Sequence, residues 1–388
     1  MRRHYLDHAS TTPLRPSAAA AISSWARGAA RPEGVGDPGR VHEEGRVARG
    51  WLEQAREEVA ALLGCRSSRV VFTSGGTEAA NTAVAAAAGE RPGAPIVAAS
   101  VEHSSVLEAA RRAAPVELLE VDRFGRVRLD QLAEVLSGRT MPALVNCQWA
   151  NHEVGTVQPV ADVVRLCHEH GVPVHVDACC AAGHVAVDVA ELGADFLSVS
   201  AHKLGGPPGI GAVVVRRGMR LRPLLVGGAA ERARRAGSEN VLGAAGFGAA
   251  ASELCAPGVL EAESRAASDA TRRLAAGACE VDGVELLGDP AAAGRLPHIC
   301  CLAIEGVRAE GVVLALDRVG IAVHSGSSCS SESLDPSPVL AAMGAEPDRS
   351  LRVSVGWSTT DDDVDAFLSA LPEVLSELRS LGSAGGTG

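Results

Sequence analysis

A chain of 388 residues with 46% apolar and only 3% aromatic side chains can bury two ordinary cores packed on aliphatic groups, so one larger and one smaller domain are expected. A formal charge of -11, with no cluster of Lys and Arg set among aromatics, argues against nucleic acid as the main ligand. The opening MRRHYLDHASTTPLRP has charges but no apolar run after them, and about 18 consecutive apolar residues occur nowhere, so secretion and membrane spanning are not expected and a soluble cytoplasmic enzyme is.

In chain order, apolar positions recur at helical spacing from Arg46 to Leu63. A β-rich run follows at Val70 to Thr73, and Thr77 opens an alanine-rich helix through Ala88. Short apolar runs then come at Ile96 to Ala99, Val116 to Val121, Leu144 to Cys147, Val174 to Val176, Phe196 to Val199 and Ala212 to Val215, separated by helix-like stretches such as Val160 to His170. This rhythm predicts an α/β fold with a mostly parallel sheet. After Cys255 it changes to helix, strand, a long loop around Cys329, a strand at Leu351 to Val355 and a helix from Asp361 to Leu381. The expected division is a large α/β domain at 15–255, a smaller α+β domain at 256–382 joined by residues 1–14, and a disordered tail at 383–388.

Ten cysteines show no CxxC and no framework spacing, so zinc and disulfides are poor fits and no metal is expected. Cys65, Cys147, Cys167, Cys255 and Cys279 lie in or beside apolar segments, where buried and inert thiols are expected. Cys329 differs, because HSGSSCSSES is a Gly/Ser loop.

Of 36 basic side chains one is a lysine, Lys203, in SVSAHKLGGPPGIG. A bias toward arginine explains the missing lysines but not the place of the last one. An amine can lose its proton and form a Schiff base with a carbonyl cofactor such as pyridoxal phosphate (PLP), which a guanidinium cannot do. In SGGTEAAN, Gly75 and Gly76 lie between strand and helix, and Thr77 begins the helix, a place where free N–H groups hold phosphate. Taken alone, this is a Gly-rich helix cap. Asp177 ends the strand Val174 to Val176, where α/β enzymes set ligand-contacting groups, and an aspartate there can keep a pyridine nitrogen protonated. Ser200 and His202 flank Lys203 with alternating spacing and can point to a phosphate, while His103 can stack on a planar ring or move a proton.

The ordered segments YLDHASTTPLRP, FTSGGTEAAN, VEHSSVLE, ANHEVGTVQPV, VHVDACCAAGHVAVD, SVSAHKLGGPPGIGAVVV, RRAGSEN, HSGSSCSSESLDPSPVLAAMG and LRVSVGWSTT resemble the cysteine desulfurases of the NifS/IscS type, within the class V aminotransferase group of fold-type I PLP enzymes. The resemblance runs end to end. It implies a large PLP-binding domain with a seven-stranded, mostly parallel sheet and a small domain carrying the catalytic cysteine loop. By it, Lys203 carries PLP, His103 stacks on the ring and Asp177 pairs with the pyridine nitrogen. Gly76, Thr77, Ser200 and His202 hold the phosphate, completed by Ser238 of a neighbouring subunit in a homodimer. Asn151 sits near the cofactor hydroxyl and the substrate, and Arg352 clamps the substrate carboxylate with its planar fork.

The activity implied is conversion of L-cysteine to L-alanine, with a persulfide formed on Cys329 and passed to a sulfur-acceptor protein for iron–sulfur clusters, thio-modification or a sulfur metabolite. Attack needs a thiolate and reach, and the loop from Ser325 to Ser333 is composed of residues that allow movement. Some positions depart from the family pattern. Cys180 stands where a glutamine usually bonds the cofactor hydroxyl, His152 replaces an asparagine, and GGGQE becomes Gly227, Gly228, Ala229, Ala230, Glu231. Two alternatives remain beside the desulfurase: another PLP lyase of the group, acting on selenocysteine or a related C–S substrate without Cys329, and a catalytically weak docking partner of sulfur carriers.

Overall fold

The computed structural model describes residues 2–29, 31, 36–325 and 336–384. Its strands are β1 (His4–Tyr5), β2 (Val70–Thr73), β3 (Ile96–Ala99), β4 (Val116–Leu119), β5 (Leu144–Gln148), β6 (Val174–Asp177), β7 (Phe196–Ser200), β8 (Gly211–Val215), β9 (Val284–Leu287), β10 (Ile299–Ile304), β11 (Ile321–Ala322), β12 (His324–Ser325) and β13 (Ser350–Ser354).

Seven of them form one sheet in the order β2-β8-β7-β6-β5-β3-β4, in which β8 alone runs against the rest. Helices cover both faces of its middle strands, so these are buried almost throughout: β3 is wholly apolar, whereas β5, β6 and β7 alternate apolar residues with the polar ones Asn146 and Gln148, His175 and Asp177, and Ser198 and Ser200. The helix Gly76–Glu90 lies on the sheet through Ala79, Ala83, Ala86 and Ala87, whose small side chains let its backbone come close. On the other face Glu43–Leu62, Pro16–Ala29 and Val241–Leu254 pack side by side. A Cβ on Gly248 would stand 2.6 Å from Ala55 Cα, so that helix crossing requires glycine.

A four-stranded antiparallel sheet in the order β12-β13-β10-β9 holds a second core with the helices Val259–Ala278, Ala309–Arg318 and Asp361–Ala384, through Leu274, Val312, Leu316, Phe367 and Leu371. The amino-terminal arm belongs to this core: β1 pairs in parallel with β11, and Leu6 is fully buried. No helix among the described residues is long and apolar enough to cross a membrane.

Three expectations need correction. The last helix continues through Ala384, so residues 383 and 384 are helical rather than part of a tail. Cys255 and Cys279 are exposed, because each caps the carboxyl end of a helix, one residue past the last inward-facing position. Helices at Pro16–Ala29, Ser104–Ala113 and Leu129–Leu136 also stand where no element was read from the sequence.

Candidate active site

The carboxyl ends of β2, β3, β5, β6 and β7 share one edge of the large sheet, and the turns leaving them build a cavity of about 390 Å³. Gly76 and Thr77 enter from the turn after β2, and His103 from that after β3. Asp177 ends β6, and Ser200, His202 and Lys203 close β7. Cys180 lines the same cavity, with Arg352 on β13 and His324 on β12.

Lys203 sits in a 3-10 turn, and its Nζ lies 3.2 Å from Cys180 Sγ as donor. Asp177 Oδ1 accepts hydrogen bonds from Cys179 N at 2.9 Å and Ser198 Oγ at 3.1 Å. Burial alone would raise this carboxyl's pKa, but the hydrogen bonding by Cys179 and the nearby histidines hold it below the usual value, so Asp177 is ionised. Beneath it, His175 bridges Ser198 Oγ at 3.1 Å and Asn146 Oδ1 at 2.9 Å; burial pushes His175 down to about 4, so the ring is neutral.

His103 caps the helix Ser104–Ala113, with Nδ1 accepting from Ser105 N at 3.1 Å. Its acceptor role puts the proton of the neutral ring on Nε2. Burial, then the charge of Lys203, lowers its pKa. The same two causes take His202 to about 4. The helix Gly76–Glu90 starts at Gly75 with no side-chain cap, leaving its first N–H groups open at the cavity rim. A Cβ on Gly76 would come within 2.5 Å of Cys179 Sγ, so only glycine leaves that approach clear.

Arg352 is buried, and its groups are partly committed: Nη1 donates to His152 O at 2.9 Å, and Nη2 to Asp7 Oδ1 at 3.0 Å and Ser10 Oγ at 2.6 Å. Asn151 does not line the cavity. Its Oδ1 accepts from Glu153 N and Val154 N, both at 2.9 Å, and Nδ2 donates to Val101 O at 3.2 Å, so it shapes the turn that presents His152 to the cavity instead. Ser238 is exposed and lies outside the cavity, beside Gly237 and Asn240. Cys329 lies outside the described residues. Among the described residues, no group of three or more His, Cys, Asp or Glu is arranged to hold a metal ion.

Sequence reasoning missed His324, Gln148 and Glu102. The only signal for Glu102 was its place beside His103. It is buried, with Oε1 accepting from Gln148 N at 2.5 Å and Oε2 without a partner among the described residues. Burial, then the charge of Asp177, pushes its carboxyl up to about 8. The folded chain therefore keeps a proton that the unfolded chain releases near 4.5, and stability falls as pH rises between these values. Glu102→Gln removes this loss while leaving an acceptor for Gln148 N. Its melting temperature relative to the parent should rise by several degrees between pH 5 and pH 8. An equal difference at both pH values would show that Glu102 is not held protonated.

The donor set fits PLP. An uncapped helix end suits a phosphate, an ionised carboxylate suits a protonated pyridine nitrogen, and an amine suits an aldehyde. Comparison with known proteins gives the same direction. The family described as aminotransferase class-V matches residues 4–367. A relative from Methanosarcina thermophila named cysteine desulfurase IscS is 36% identical, over 97% of this chain and 93% of its own. A solved structure titled NifS-like protein superposes with a TM-score of 0.87 at 30% identity, covering 97% of this chain and all of that one. Another, titled SspA in complex with cysteine, gives 0.78 at 27% identity over 92% of this chain and all of that one.

Proposed function

Since this chain belongs to the aminotransferase class-V family, as one of its cysteine desulfurases, we propose that it binds PLP at Lys203 and moves the sulfur of L-cysteine onto Cys329. The observation that carries the reading is the convergence of an uncapped helix start, an ionised Asp177 and the Lys203 amine on one cavity. Gly76, Thr77, Ser200 and His202 would hold the phosphate, Asp177 would pair with the ring nitrogen, and His103 would serve the ring. Cys180 takes the place of a hydroxyl-bonding residue, a weaker hydrogen-bonding partner. When bound, PLP would supply an electron sink that acidifies the substrate Cα–H and delocalises the electron pair left on Cβ as the Cβ–Sγ bond breaks.

The chain's own groups do the rest. Arg352 binds the substrate carboxylate, with Asn151 supporting the turn beside it. The Lys203 amine takes the Cα proton and returns protons to carbon, and the neutral His103 holds a proton on Nε2 for exchange. Cys329, as thiolate, attacks the substrate sulfur. In balance, L-cysteine and the Cys329 thiol give L-alanine and a Cys329 persulfide; the transferred sulfur is oxidised and Cβ is reduced, with no outside oxidant.

The reading extends to the rest of the molecule. The large domain at 15–255 carries the cofactor, and the small one at 1–14 and 256–382 carries Arg352 and the Cys329 loop. Ser238, exposed and outside its own cavity, reaches the phosphate of a second copy in a homodimer. The persulfide passes to a sulfur-acceptor protein in the cytoplasm, with no nucleic acid or membrane contacted directly.

The test is borohydride reduction of the purified protein with peptide mapping, then addition of L-cysteine with assay for alanine and for persulfide. Cofactor fixed on Lys203, alanine released and sulfur on Cys329 are expected. Absence of fixed cofactor, or alanine without persulfide, would overturn the proposal.

A further inference from the structure

Beneath Asp177 the middle of the large sheet holds a file of polar side chains. Asn146 and His175 are register partners on β5 and β6, and Asp177 and Ser198 are partners on β6 and β7. Asn146, His175 and Ser198 are fully buried, so these side chains must satisfy one another.

Their protons can be counted from Asn146 onward. Its Nδ2 donates to Val97 O at 3.3 Å, which fixes the amide with Oδ1 toward His175, 2.9 Å from Nδ1. An amide oxygen only accepts, so the ring proton is on Nδ1. Burial holds His175 at about 4, so the ring is neutral and Nε2 is a bare acceptor. Ser198 Oγ stands 3.1 Å from that Nε2 and 3.1 Å from Asp177 Oδ1, itself an acceptor. One hydroxyl proton therefore faces two acceptors at equal distance and serves one of them at a time.

Which acceptor it serves depends on the state of Asp177. Left to itself, the ionised carboxylate is preferred, because a hydrogen bond to a charged group is the stronger one. A cationic N–H arriving from the cavity compensates that charge, and Asp177 already accepts from Cys179 N at 2.9 Å. The imidazole nitrogen then becomes the better acceptor. With no such alternative the hydroxyl would go on donating to Asp177, and every added donor lowers a carboxylate's own affinity for a proton.

We propose that His175 is a positioning residue: by accepting the Ser198 hydroxyl proton when the cofactor is bound, it frees Asp177 to hold the proton of the ring nitrogen. This rests on the reading that Asp177 meets the pyridine nitrogen. It adds two residues to the site, neither of which lines the cavity, and makes the electron-accepting strength of the ring depend on a hydroxyl rotation beneath it.

The experiment loads the protein with PLP that carries an isotope label at the ring nitrogen and reads the proton on that atom by NMR. The parent is compared with His175→Phe, Ser198→Ala, the double variant of these two, and His175→Gln. His175→Phe offers no acceptor, so the ring nitrogen should lose about tenfold in proton affinity, the size of one hydrogen bond. Exchange of the Cα hydrogen of L-alanine should slow by a similar factor, with affinity for L-alanine unchanged. Ser198→Ala should keep the ring proton, and in the double variant the loss should disappear, because the competing hydroxyl is gone. A merely structural role gives no such recovery on a second substitution. His175→Gln, whose amide can donate to Asn146 and accept from Ser198, should match the parent.

An unchanged ring nitrogen in His175→Phe overturns the inference, as does a double variant no better than His175→Phe. If His175→Phe does not fold, joining Asn146→Leu to it removes the oxygen left unpaired, and the same comparison is made on that background. A parent that fixes no PLP on Lys203, or whose ring nitrogen carries no proton, would instead overturn the reading beneath the inference.

Discussion

Lys203→Ala should lower alanine formation from L-cysteine by roughly 10⁴-fold, about 5.5 kcal/mol of transition-state stabilisation, measured as kcat/KM with PLP supplied in excess. The loss is expected to be large because the proposed mechanism gives one amine two jobs, holding the cofactor and moving protons at the substrate carbons. Lys203→Arg separates these from charge alone. A guanidinium keeps the positive charge, whose field reaches His103 and His202, but neither condenses with an aldehyde nor gives up its proton at neutral pH. It should fail as fully as alanine. Activity in the arginine variant would mean that Lys203 acts only as a fixed charge, and the proposed mechanism would be wrong. Since Cys180 Sγ receives the Nζ hydrogen bond, both variants also leave that thiol without its amine partner.

Cys329→Ser should abolish persulfide and sulfur transfer, at least about 10³-fold below the parent, while borohydride still fixes PLP on Lys203. A thiol near its ordinary pKa gives a few per cent thiolate at pH 7, whereas a serine hydroxyl gives essentially none, so the attack loses its nucleophile without losing the cofactor site. Several other thiols are poor substitutes by their surroundings. Burial pushes Cys65 up to about 11 and Cys167 to about 12, and it leads the causes that hold Cys147 and Cys179 well above the ordinary thiol value. Full alanine release from Cys329→Ser would point to a lyase that does not use this thiol. Persulfide found on Cys180 would identify the cavity thiol as the acceptor.

Much of the large sheet was legible in the sequence, for a physical reason. Parallel strands buried on both faces are rich in apolar residues, and β2, β3, β6 and β7 read within about a residue of where they lie even though His175 and Ser198 interrupt two of them. The same rule marked Asp177, because a polar residue directly after such a run leaves the sheet at its ligand-binding edge. Helix ends were less legible. Cys255 and Cys279 read as buried because their segments are apolar, yet a C-cap residue has left the inward stripe.

The sequence by itself determined that Lys203 is the only amine side chain, that Asp177 and the start of the Gly76–Glu90 helix lie at strand ends, and that Cys329 sits in a Gly/Ser segment. These are local properties, set by a residue's identity and its near neighbours. Only the tertiary structure decided that Asn151 turns inward while His152 faces the cavity, that Glu102 keeps a proton, and that His324 stands beside Arg352. Each of those depends on the pairing of segments far apart in the chain and on the total burial they produce, and a desolvation energy is summed over neighbours that no stretch of sequence names.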